Sequence, residues 1–146
     1  MIDSTHIEMS RKATEIQDLW EPKEGDKITS WQEFASKRVP APMEILRRGK
    51  YGSLMDFEGN YLRNPSNAVW LPRQEDLQEI ARKNLSKTTW GLTVLFYEFF
   101  KEKCAVNKIT NRLNANEPLN TVWLCFVMET CYGKHWDDKK KTWTVI

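Results

Sequence analysis

The sequence predicts one α+β domain over residues 1–146. A small antiparallel sheet from the middle of the chain packs against about three C-terminal helices, and a polar helix leads in at the N-terminus. Two observations carry this. Pro40, Pro42, Gly49, Gly52, Gly59, Pro65 and Pro72 punctuate the stretch from Val39 to Arg73 so densely that only short elements fit. Beyond Arg73 the punctuation thins, and apolar residues recur at helical spacing. No repeat or low-complexity linker divides the two regions.

Residues 1–19 read as a helix with few apolar positions, Ile7, Ile16 and Leu19, so residues 1–10 are expected to fray. Trp20-Glu21-Pro22 ends it, because the residue before proline is driven toward extended geometry. Pro22 to Asp26 is turn chemistry, and Lys27 to Trp31 begins a strand. Leu54–Phe57 and Tyr61–Arg63 flank Glu58-Gly59-Asn60 as a tight hairpin, with Gly59 supplying the positive φ. Ala68 to Leu71 reads as another strand, stopped by Pro72.

In Gln74–Leu85, the residues Leu77, Ile80, Ala81 and Leu85 share a helical face, and Glu75 and Asp76 suit the positive first turn. Trp90–Cys104 follows, apolar around most of its circumference, which predicts a central helix covered on more than one side. Asn107–Asn116 is a polar connection. Asn116 or Glu117 can cap the last helix, with Pro118 at its first position. The run Val122 to Met128 is buried helix, stopped by Gly133. Lys139–Lys141 turn the chain, and Thr142–Ile146 alternate as a closing strand. Phe96, Phe99, Leu124 and Phe126 are the leading core candidates.

Composition narrows the class. Hydrophobic residues make up 40% and charged residues 29%, an ordinary globular balance. A net charge of +2, from 22 basic and 20 acidic residues, implies neither nucleic acid nor an anionic membrane. Three cysteines without tight pairing point to free thiols in a reducing compartment. No apolar run approaches the roughly 20 residues that span a bilayer, and the first residues lack a signal-peptide core. The expectation is a cytoplasmic protein.

Three stretches carry a resemblance. They are Leu19-Trp20-Glu21-Pro22-Lys23-Glu24-Gly25-Asp26, Val69-Trp70-Leu71-Pro72-Arg73-Gln74-Glu75-Asp76-Leu77-Gln78-Glu79, and Phe126-Val127-Met128 with Tyr132-Gly133-Lys134-His135-Trp136-Asp137. Their order resembles W-x-P-K-x-G-D, W-L-P-R-Q-x-x-L and F-V-M-x-x-x-Y-G-K-x-W-D stretches in a group of small phage and prophage proteins of bacteria. The group's biochemistry is unassigned. The resemblance therefore implies an origin in a mobile element and a bacterial host cell, and it transfers no catalytic residue, ligand or partner.

The chemistry-bearing patterns are sparse. Gly49-Lys50-Tyr51-Gly52-Ser53 lacks the spacing of a phosphate-binding loop. Cys125, Cys131, His135, Asp137 and Asp138 lie close in sequence, but zinc ligands usually sit about two to four residues apart. Cys125 and Cys131 are about 600° apart on a helix, on opposite faces. Only His6 and His135 could act as a histidine base, and no nucleophile is favoured beside either. No catalytic, cofactor or metal residue is assigned, and a non-enzymatic role is expected.

Two binding readings remain. Lys37, Arg38, Arg47, Arg48 and Lys50, near Tyr51, Phe57 and Tyr61, combine charge with aromatic faces, as single-stranded nucleic acid binding does. The plain alternative is a solvated charged loop. Trp20, Trp31, Trp136 and Trp143 fall near turns or element ends, where they serve either as anchors for a protein partner, self-association included, or as staples onto the core. The favoured expectation is an accessory protein that binds another protein, with nucleic acid as the alternative.

Overall fold

The computed structural model describes residues 4–34, 37–40, 44–45, 47–48, 54–55, 68–105 and 119–146. The fold is α+β. The chain comprises two compact units, Met1–Pro72 and Arg73–Ile146, and each combines helix with antiparallel strands.

The first unit opens with α1 (Ser4–Lys12) and the single turn α2 (Thr14–Gln17), broken at Ala13. The expected polar helix is half right. His6, Ile7, Met9, Ser10, Ala13 and Ile16 are all buried, so small and neutral polar side chains complete an apolar face that the residue types understate. Ile7 packs with Val69 and Leu71 in one core cluster.

β1 (Lys27–Phe34) is the central strand. It pairs antiparallel with β2 (Lys37–Pro40), with β3 (Glu44–Ile45) and with β6 (Ala68–Trp70). Ile28 faces Glu44 on one edge and Trp70 on the other. A separate ladder joins β4 (Arg47–Arg48) to β5 (Leu54–Met55). Leu54 and Met55 are thus strand, as expected, with Arg48 and Arg47 as partners. The proposed turn at Gly59 and its second arm lie outside the described residues.

In the second unit, α3 (Gln74–Leu85) has the predicted bounds, and Asp76 accepts a hydrogen bond from the Arg73 N–H at 2.8 Å to close its first turn. Leu77 and Ala81 are its buried positions. Thr88 caps α4 (Thr89–Phe100), its Oγ1 accepting from the Gly91 N–H at 3.2 Å. A π-helical turn, Lys101–Ala105, continues it. The polar connection and the cap expected at Asn116, Glu117 and Pro118 lie outside the described residues.

α5 (Leu119–Tyr132) is the hub of this unit, with every residue from Thr121 to Met128 buried. Its aromatic contacts account for that. Trp123 stacks on Phe96 with centroids 3.9 Å apart, and Phe126 meets Phe96, Phe99 and Trp123 edge-on at 5.3–5.5 Å. Phe99, Leu124 and Phe126 are buried, and Phe96 is half-buried. Gly133, at φ +64, ends the helix as predicted. The chain closes in the hairpin of β7 (Lys134–Asp137) and β8 (Thr142–Val145).

Candidate functional site

The three stretches that carry the resemblance fall at structural joints. Trp20 donates its indole N–H to Asp26 Oδ2 at 2.8 Å, and the Lys23 N–H reaches the same oxygen at 3.0 Å. Gly25, at φ +93, makes the turn between them possible. In the second stretch, Trp70 ends a strand and Arg73 starts a helix. The third ends α5 at Gly133, whose carbonyl accepts from the Ile146 N–H at 3.0 Å, and closes on Asp137. Asp137 Oδ1 accepts from the N–H groups of Lys139 and Lys140 at 2.9 and 3.0 Å.

The four tryptophans weighed as protein anchors do not form an exposed set. Trp136 and Trp143 are buried, in edge-on contact at 5.3 Å across β7 and β8. Trp20 is half-buried, stacked on Trp70 with an interplanar angle of 8°. These three act as staples onto their own units, because pairing in an antiparallel ladder or bonding to Asp26 fixes them inward. Trp31 lies in β1 opposite Pro40.

The basic residues are spread over two ladders. Lys37 and Arg38 belong to β2, opposite Phe34 and Glu33, while Arg47 and Arg48 belong to β4. Lys50 lies outside the described residues, as do Tyr51, Phe57 and Tyr61.

Cys125 is buried within α5. Cys131 is half-buried, and desolvation pushes its thiol up to about 11. Among the described residues, no three His, Cys, Asp or Glu side chains gather as a metal would require. No described helix is long and apolar enough to cross a membrane.

The feature that sequence reasoning missed is the outer face of α4. Trp90, Val94 and Tyr97, at i, i+4 and i+7, share one side of the helix. They are 77%, 43% and 61% exposed. The opposite side carries Leu92 and Phe99, both buried, and Phe96, stacked on Trp123. Among the described residues, the helix expected to be covered on more than one side is covered on one. Its all-round apolar character was the available signal, since a helix docked along one stripe has no need of apolar residues on the other.

No protein-family model, curated protein or solved structure matches this chain.

Proposed function

We propose that the protein is a non-enzymatic accessory protein of phage or prophage type that works by binding another protein, and that the outer face of α4 is its anchor. The observation that carries the reading is the exposure of Trp90, Val94 and Tyr97 on one helical stripe. Contiguous exposed apolar surface on a folded protein usually marks an interaction site. Trp and Tyr are also the residue types that dominate interface energetics, because they bring large rigid area at little entropic cost. A bacterial host and a mobile-element origin rest on the resemblance of the three joint stretches.

The test is affinity capture from bacterial cells with the intact chain and with Trp90→Ala. The reading expects a specific protein, host-encoded or a further copy of the chain, whose binding weakens by about 2 kcal/mol or more in the variant. Capture unchanged by Trp90→Ala and by Tyr97→Ala would remove α4 as the anchor.

A further inference from the structure

Charge placement beside the α4 face makes that face complementary to itself. Resting on the protein-binding reading above, we infer that its occupant is a second copy of this chain, with the two α4 helices antiparallel about a two-fold axis through Val94. Trp90 stands four residues before Val94, and Tyr97 three after it. An antiparallel copy therefore sets Trp90 level with the partner's Tyr97 to within one helical rise, about 1.5 Å, and Val94 against the partner's Val94. Aromatic meets aromatic on both sides of the axis, as an isologous contact requires.

One pair of flanking charges fits the same symmetry. Glu98 and Gly91 are seven residues apart, so they share one flank of α4. The Lys87 stem lies over Gly91, its Cδ and Cβ 3.6 and 3.7 Å from where a Gly91 Cβ would stand. Both charged residues are exposed, and neither makes an ion pair among the described residues. Like flanks face each other in an antiparallel pair, so the Lys87 ammonium comes level with the partner's Glu98.

The three apolar side chains offer on the order of 400 Å² per copy, below the roughly 800 Å² per partner of a standard stable interface. The association is accordingly reversible and concentration-dependent.

Sedimentation velocity of the full chain from about 1 µM to about 500 µM tests it. The mass should rise from 17.3 kDa toward twice that value. Val94→Asp places two carboxylates at the axis and should leave a monomer at every concentration, with far-UV circular dichroism confirming the fold. Glu98→Lys should weaken association about threefold, and adding Lys87→Glu should restore it. Val94→Cys should yield an intermolecular disulfide on oxidation, beyond any formed by the unaltered chain. Trp90→Cys alone should not, because its counterpart across the axis is position 97. A chain monomeric throughout, a dimer indifferent to Val94→Asp, no rescue by the double charge swap, or equal crosslinking of both cysteine variants overturns the inference. A monomer that still captures a different protein in a Trp90-dependent way overturns the dimer and leaves the binding reading standing. A monomer with no Trp90-dependent capture overturns both.

Discussion

The carboxamide of Gln17 holds both main-chain polar groups of Trp70. Its Nε2 donates to the Trp70 carbonyl at 2.9 Å, and its Oε1 accepts the Trp70 N–H at 3.0 Å. The same Nε2 reaches the Ser10 carbonyl at 2.9 Å. Trp70 faces Ile28 on its other side in the β1–β6 ladder. Gln17 thus takes the place of a further strand on the outer edge of β6, and it ties that edge to the N-terminal helices. An open edge invites pairing with another chain, so a side chain that satisfies it is protective as well as stabilising.

Gln17→Leu keeps the volume and removes all three bonds, leaving the partly buried N–H and C=O of Trp70 without these partners. The cost should be about 1 to 3 kcal/mol, read as a lower urea midpoint at unchanged slope. An unchanged midpoint would mean that the edge is satisfied by water at no loss.

Phe126 sits among three other aromatic rings with almost no exposure. Phe126→Ala should cost about 3 to 5 kcal/mol, a large share of the roughly 5 to 15 kcal/mol a domain of this kind has. Thermal unfolding that shifts by no more than it does for an exposed substitution such as Tyr97→Ala would contradict the aromatic hub.

How much of this was legible depended on how local the cause was. The bounds of α3, a strand stopped before Pro72 and the stop at Gly133 all follow from residues within a turn of the event, and the sequence predicts each. Gln17 acts on Trp70 across 53 residues, and no periodicity or capping rule relates the two. The inward turn of Trp136 and Trp143 likewise needs the β7–β8 register, which sets them opposite each other. For α4 the residue pattern was plain and its meaning was not: an all-round apolar helix is compatible with two covered sides or with one covered side and one binding side. Only the accessibility of Trp90, Val94 and Tyr97 separates these.

Cys131 should behave as an inert thiol. With burial raising it to about 11, the nucleophilic thiolate is scarce near neutrality. In a Cys104→Ser/Cys125→Ser background, alkylation by iodoacetamide at about pH 8 should run far slower than for a free cysteine of pKa about 8.5, and should accelerate on denaturation. A rate equal to the free thiol's would show that the site is solvated.

Asp137 gives the hairpin an acid-sensitive element. The Lys140 N–H, together with the Lys139 N–H and the charges of Lys140 and His135, holds its carboxyl below the ordinary range. A folded value below the unfolded one, about 3.9, means that the contribution is present above that value and fades as pH falls through the folded one. A carboxyl-detected NMR titration should place the Asp137 midpoint under about 3.9. Asp137→Asn should retain the turn and lose that part of the acid dependence. A midpoint at or above the ordinary range would contradict the cap.

The basic residues provide the sharpest contrast between the two binding readings. If Lys37, Arg38, Arg47, Arg48 and Lys50 neutralised phosphates, each contact with a single strand would contribute roughly −0.7 to the log–log dependence of affinity on salt. Three or four contacts would then give a slope of about −2 to −3, flattened by Arg47→Ala/Arg48→Ala and untouched by Trp90→Ala. A net charge of +2 supplies little long-range attraction for such binding. Lys37 and Arg38 also belong to a different ladder from Arg47 and Arg48. The expected outcome is no salt-sensitive binding of labelled oligonucleotide at micromolar protein, with Trp90→Ala altering protein association alone. An oligonucleotide shift that salt abolishes, and that Arg47→Ala/Arg48→Ala removes while Trp90→Ala does not, would move the functional surface from α4 to the strands of the first unit.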